Sequence, residues 1–315
     1  MTSTVVPFMS DELIVSQPFT GYCLEEVIGK SQNGAVYKAR DDRFGRTAAL
    51  KCMRISSTAA KEVAETFFAE AKQFAKVKHP QIARGIDVGK VGQLYYLAYE
   101  FTRGETVKAR LERLERKRFT ERTALTIVLS VADALNILFR ANLTHRRIHP
   151  RHILCTDTKN VQLLESGFAY EISEESNKSL LQGMIHYISP ERIQMREDAD
   201  IRSDLYALGC VWYEMVSGSP PFSGSNELEI LMQKHLEAMP DDLQEKKISA
   251  ATSVLINWLL EKDRDRRPRT PAAFLNKLQQ HPLLDADTEP MVTDPNADLL
   301  AGLDEPDADD ESNEY

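Results

Sequence analysis

The first hundred residues alternate in the manner of strands. CLEEVIG and GAVYKAR mix β-branched and apolar residues around a turn-forming KSQN, and RTAALKCM follows after a DDRFG turn. STAAKEVAETFFAEAKQFAKVKH then places Val63, Phe67, Phe74 and Val77 at helical spacing, which predicts one main helix. Two further strand-like runs, IARGIDVGKVG and QLYYLAYEF, complete a small mixed lobe over about residues 21–101. Beyond it the period changes to helical. TERTALTIVLSVADALNILFRANL sets Leu125, Val128, Ala132, Leu135 and Phe139 on one stripe of a long amphipathic helix. DLYALGCVWYEMVSG is apolar nearly all round, as a helix at the centre of a lobe should be. TSVLINWLLEKD and TPAAFLNKLQQH predict two later helices, the second opened by Thr270 as cap and Pro271 at its first position.

Composition changes this picture little until charge is divided along the chain. Hydrophobic residues make up 42% and charged residues 28% of the 315, ordinary for a globular protein. The formal net charge is −9, but residues 285–315 carry 12 of the 48 acids and no base. The body then sets 36 acids against 39 bases, near +3, so the acidity belongs to the C-terminal stretch. That stretch holds several prolines and few apolar residues, and is expected to be a disordered tail over 283–315 that solubilises the protein or docks on basic surface. Residues 1–20 form an N-terminal extension without the basic start and apolar run of a signal peptide. No stretch approaches the roughly 18 uninterrupted apolar residues of a membrane span. Four scattered cysteines without framework spacing suit a reducing compartment, so the expectation is a cytoplasmic protein with neither a membrane segment nor a nucleic-acid partner.

Five motifs fall in order along the chain. IGKSQNGAVYKA places Gly29 and Gly34 at the outer positions of a G-x-G-x-x-G-x-V loop, with Val36 in place. Two glycines in a turn usually mark only a turn, but Ala49-Leu50-Lys51 follows on a predicted strand, and Glu70 on the next helix. THRRIHPRHIL (144–154) resembles the catalytic loop of protein kinases, and VQLLESGFA (161–169) the strand ending in D-F-G. GMIHYISPE (183–191) resembles the end of the activation segment. SDLYALGCVWYEMVSGSPPF and EKDRDRRP look like the later helix and the Arg-bearing turn. Over roughly residues 20–282 the chain resembles bacterial Ser/Thr protein kinase domains.

The resemblance implies an α+β, bilobal protein-kinase-like fold over 21–282. Its small β-rich N-lobe carries one main helix, and a larger, mainly helical C-lobe covers about 102–282. It implies an ATP pocket with Gly29 and Gly34 in the phosphate loop, Val36 and Ala49 as roof, Leu154 as floor and hinge backbone from Glu100 to Thr102. Tyr99 stands as gatekeeper, and Lys51 with Glu70 is placed for the phosphates. It implies structural roles for Asp204, which ties down the catalytic-loop backbone, and for Glu191 with Arg267, a buried ion pair.

The chemistry-bearing positions depart from the family. Arg147 stands where an Asp accepts the hydroxyl proton, and a guanidinium with a pKa above about 12 accepts none. His149 replaces the phosphate-contacting lysine. His152 replaces the asparagine that holds magnesium, for which imidazole is a poor ligand. Glu165 keeps a carboxylate at the D-F-G Asp position, one methylene longer, as the single weak metal ligand left. Ser166 replaces the Phe of D-F-G, and Ser31 the middle glycine of the phosphate loop.

The expectation is therefore a pseudokinase: a regulatory or scaffolding module that binds ATP with little use of Mg²⁺ and serves a protein partner such as an active kinase or its substrate. The alternative is an active but atypical Ser/Thr kinase, or another ATP-dependent group transferase, with Glu165 on one metal and neutral His149 as base. Two further readings arise from the same loop. His145, His149, His152 and His186 invite a zinc site, though Arg146, Arg147 and Arg151 would repel a dication. Arg146 and Arg147 could instead hold a phosphate on Ser173, Ser176 or Ser179 of EISEESNKS, ordering that segment.

Overall fold

The computed structural model describes residues 18–31, 34–54, 68–92, 94–156, 158, 160–164, 184–194, 196, 199–222 and 228–284. Val63, Phe67, Glu165, Ser166, the serine segment and the acidic stretch lie outside them.

Six strands form one antiparallel sheet: β1 (Pro18–Phe19), β2 (Tyr22–Ser31), β3 (Gly34–Asp41), β4 (Arg46–Arg54), β5 (Gly85–Val91) and β6 (Leu94–Glu100), in the order β1-β2-β3-β4-β6-β5. Side chains alternate between its faces. Ala48, Leu50 and Cys52 of β4 join Leu24, Tyr37 and Ala98 in the core on one face. Ala49, Lys51 and Met53 therefore look the other way. On that side Met53, Tyr95, Leu97 and Tyr99 pack with Ala71 and Phe68 of helix α1 (68–74) and with Leu164. Phe74 is buried at the end of α1, and Val77 just beyond it is half-buried.

The larger lobe starts with β7 (Gly104–Thr106) and α2 (Val107–Arg113), whose cap Thr106 accepts from the Ala109 N–H. The long helix α3 (Glu121–Arg140) buries Leu125, Val128, Ala132 and Leu135 as its period predicts. Phe139 departs from the stripe and is 39% exposed, although Leu138 beside it is fully buried. By length and composition α3 could cross a bilayer, but half of it is buried inside this fold, as for a core helix of a globular lobe.

Strands β8 (Ile153–Thr156) and β9 (Val161–Leu163) pair with β7 as a small sheet. They are followed by the short α4 (Pro190–Ile193) and by α5 (Ile201–Ser217). Every residue of α5 from Ser203 to Val216 is buried, which explains its all-round apolar sequence. Gly209 lies on α5 where a Cβ would sit 2.7 Å from the Cβ of Leu259, so the close approach of α7 (Ala250–Leu259) demands glycine. Helix α6 (Leu228–Glu237) lies between them in sequence. In α8 (Pro271–Leu278), Thr270 accepts from the Ala273 N–H with Pro271 in the first turn, as the sequence predicts. The chain divides after His281; of the unit beyond, residues 282–284 form a single helical turn. The four cysteines are free thiols, three of them buried.

Candidate functional site

The loop at 144–152 is fixed from below by α5. The buried Asp204 carboxylate accepts the backbone N–H groups of His145 and Arg146, both at 2.7 Å. This clamp holds Arg146 at φ +64°, a left-handed conformation that costs a non-glycine residue roughly 1–2 kcal/mol. Burial pushes the Asp204 carboxyl up to about 6, against the opposing pull of the two amide donors and of Arg192. Arg192, from α4, adds a second clamp by donating from Nη1 to the Arg146 carbonyl.

The imidazoles of the loop are structural fixings. His145 is fully buried; its Nδ1 accepts the Arg147 N–H at 3.2 Å, so Nε2 carries the proton and donates to the Leu164 carbonyl at 2.9 Å. His149 Nδ1 accepts the Arg151 N–H at 3.0 Å and caps the turn Pro150–His152, while its ring stands edge-on to Tyr187 at 4.5 Å. His152 Nδ1–H donates to the Arg147 carbonyl at 2.8 Å, closing the loop on itself. Tyr187 carries the connection inward by donating to Glu214 at 2.5 Å, and Lys108 approaches the same carboxylate at 3.4 Å.

Arg146 reaches across to the small lobe. Its Nη1 donates to Glu70 Oε1 at 3.0 Å, and its Nε donates to Thr144. Lys51 lies on the sheet face that looks toward α1, cross-strand from Val36 and Leu97. Ala49 pairs with Tyr99 on the same face, and Gly29 pairs with Val36. Tyr99 is buried within the α1 cluster. The hinge starts with the Glu100 N–H on the Arg84 carbonyl, Thr102 is half-buried beyond it, and Leu154 is buried in β8 opposite Thr106.

The two glycines of the first hairpin do different work. A Cβ on Gly34 would lie 1.9 Å from the Cys52 carbonyl oxygen, so β3 needs glycine to approach β4. A Cβ on Gly29 would meet only the Val36 side chain, at 3.6 Å.

Residues 22–284 match the family model described as "Protein kinase domain". The chain belongs to the protein kinase superfamily. It is 34% identical over 229 residues to the serine/threonine-protein kinase PknA of Mycobacterium tuberculosis, covering 70% of this chain and 52% of PknA. A probable serine/threonine-protein kinase of Clostridium perfringens is 29% identical over 263 residues, 82% of this chain and 38% of the relative. PknB of M. tuberculosis is 30% identical over 261 residues, 80% of this chain and 41% of PknB. The chain thus spans at most about half the length of these relatives.

In this kinase domain Glu191 and Arg267 form a buried ion pair. Arg267 donates to both Glu191 oxygens, at 2.8 and 2.9 Å, with both side chains buried. Ser203 adds a third bond to Glu191 at 2.6 Å, and the remaining guanidinium donors reach the Glu261, Lys262 and Arg202 carbonyls. Burial alone would raise the Glu191 carboxyl, but the Arg267 and Ser203 bonds hold it at about 2.

Of the residues expected at the site, the kinase domain gathers Arg147, His149 and His152 on one loop fastened by Asp204. Val36, Ala49 and Lys51 share one sheet face with Tyr99. Glu165 lies outside the described residues. No group of three His, Cys, Asp or Glu side chains among the described residues could hold a metal, which removes the zinc reading of the loop histidines. Sequence reasoning missed Arg192, Tyr187 and Glu214. Each carried a hint by position: Tyr187 lies within GMIHYISPE, Glu214 within SDLYALGCVWYEMVSG, and Arg192 directly after Ser189-Pro190-Glu191.

Proposed function

We propose that this kinase domain is a pseudokinase: a regulatory or scaffolding binding module that retains an ATP pocket and has lost efficient phosphoryl transfer. Phosphoryl transfer depends on positioning and on neutralised charge, with little covalent work by the protein. The observation that carries the reading is the state of the loop 147–152. Arg147 offers a fixed cation where a proton acceptor is needed, and a positioned base typically contributes about 10²–10⁴-fold. His149 Nδ1 is committed to the Arg151 N–H and His152 Nδ1 to the Arg147 carbonyl.

ATP fits the residues present. Val36, Ala49 and Leu154 offer an apolar slot, the backbone from Glu100 to Thr102 offers the hinge bonds, and Lys51 offers a cation for the phosphates. ATP in this slot would supply a bound triphosphate as a conformational ligand, and the chain's own residues hold and orient it. Magnesium fits poorly. It asks for hard oxygen ligands, whereas the loop provides imidazole and three arginines. The partner is a protein, an active kinase or the substrate of one, bound on the outer surface of the fold.

The test is a thermal-shift titration with ATP, with and without Mg²⁺, beside Lys51→Ala. We expect stabilisation by ATP that does not need Mg²⁺ and that falls in Lys51→Ala. Incubation with radiolabelled ATP and Mg²⁺ or Mn²⁺ should leave no label on the chain or on a generic substrate. Label incorporation abolished by Lys51→Ala would overturn the reading and establish the atypical transferase instead.

A further inference from the structure

One edge of the small lobe presents exposed cations that the fold does not pair. Residues 71–86, running from α1 into β5, contain Lys72, Lys76, Lys78 and Arg84, together with His79, and no Asp or Glu. All four cationic residues are exposed, and among the described residues none of them has an ion-pair partner. The acids that bracket the run are engaged elsewhere, Glu70 with Arg146 and Asp87 with Arg43. The backbone beneath is fixed. Lys76 and Val77 donate to the Gln73 and Phe74 carbonyls, Ala83 donates to the Leu163 carbonyl at 2.9 Å, and Leu163 donates back to Gln81 at 2.8 Å. Phe74, Ile82 and Ala83 are buried below. A Cβ on Gly85 would lie 3.9 Å from that of Ala75, so the stretches bearing Arg84 and Lys76 meet at one edge. The carbonyl end of α1 favours a cation near its last turn, which accounts for Lys76 or Lys78. It accounts for neither Arg84, which precedes a strand, nor Lys72, which repels Lys76 four residues on.

Unpaired cations on a fixed backbone complement an anion at little ordering cost. We infer that the edge formed by Lys72, Lys76, Lys78 and Arg84 docks an Asp- and Glu-rich segment of a partner protein. Two other polyanions fit less well. Nucleic acid or an anionic membrane would meet the field of the whole chain, whose formal net charge is −9. Within 71–86 no aromatic ring is exposed for base stacking, and no large apolar side chain is exposed for insertion into lipid. The inference rests on the reading of this domain as a binding module, and gives its protein partner a place and a chemistry.

The experiment is anisotropy titration of the full chain with a fluorescent peptide alternating Glu and Ser, beside the same peptide with Gln for each Glu. The Glu peptide should bind about tenfold tighter, since several exposed charge pairs act together. The difference should shrink with added salt. Lys72→Gln, Lys76→Gln and Lys78→Gln in one chain should remove it. Arg266→Gln, Arg269→Gln and Lys277→Gln, which take the same charge from exposed positions around α8, should leave it intact. Calorimetry of each variant excludes a folding defect, and Lys78→Gln with Arg84→Gln serves if the lysine triple variant fails to fold. Equal binding of both peptides, a preference that survives the lysine substitutions, or an equal loss in the α8 control would overturn the inference. Tighter binding of single-stranded RNA or of phosphatidylserine vesicles, lost in the lysine variant, would do the same by naming a different occupant. So would self-association, read by sedimentation velocity, that the lysine variant abolishes. Radiolabelled transfer is measured on the same samples. Absence of the charge preference without transfer sinks this inference alone, whereas Lys51-dependent transfer sinks the pseudokinase reading beneath it.

Discussion

Arg146 and Glu70 form an ion pair of 3.0 Å that links the catalytic loop of the large lobe to helix α1 of the small one. The arginine is held at φ +64° by Asp204 beneath it, so its guanidinium is delivered to Glu70 from a rigid base.

Neither partner of that pair is deeply buried: the side chains are 42% and 21% exposed. Solvent screening therefore limits its contribution to about 0–1 kcal/mol. Glu70→Gln should lower Tm by no more than about 4 °C, read by calorimetry. A larger fall would mean that the pair holds the lobes together.

The pair Arg267–Glu191 should behave oppositely. Removing one buried, bidentate partner strands the other charge, at about 3–5 kcal/mol. Arg267→Met alone should lower Tm by roughly 10 °C, while Arg267→Met with Glu191→Leu should recover much of the loss. Equal Tm for the single and double variants would refute the account.

The same pair predicts an acid limb. Glu191 sits at about 2 in the fold and near 4.5 unfolded, so the unfolded chain binds more protons between these values. The stabilisation is complete above about pH 4.5 and is lost as pH falls toward 2, in total on the order of 3 kcal/mol. Urea unfolding from pH 6 to 3 should show this slope, and Glu191→Gln should flatten it.

His149 is assigned a structural task, as cap of the turn and edge partner of Tyr187. His149→Ala should destabilise by about 1–2 kcal/mol, whereas His149→Asn, which keeps a cap acceptor, should lose less. If His149→Ala is as stable as the parent, the ring contributes nothing to the loop.

Restoring one family residue should not restore chemistry. Arg147→Asp leaves His149 and His152 in place, and no transfer of label is expected. Arg147→Asp, His149→Lys and His152→Asn together should give detectable transfer with Mg²⁺, because base, phosphate contact and amide metal ligand return at once. Transfer by the single variant would show that the two histidines are not limiting.

Much of this was legible in one dimension. The order of strands and helices, the cap at Thr270 and the fully buried α5 follow from period and composition, because burial on one face or on all faces leaves a periodic record in the residue types. The identity of Arg147, His149 and His152 likewise needs no coordinates, since side-chain chemistry is local. Phe139 was misread because its place on the periodic stripe does not say how far the packed neighbours reach across the helix, and it is 39% exposed beside the fully buried Leu138. The partner of Glu70, the left-handed Arg146, the Cys52 carbonyl that forbids a Cβ on Gly34 and the nitrogens that His149 and His152 commit to the backbone were decided only by tertiary structure. Each depends on the approach of atoms from segments distant in sequence, or on which of two ring nitrogens faces a carbonyl or an amide. Residue spacing does not encode those distances and orientations.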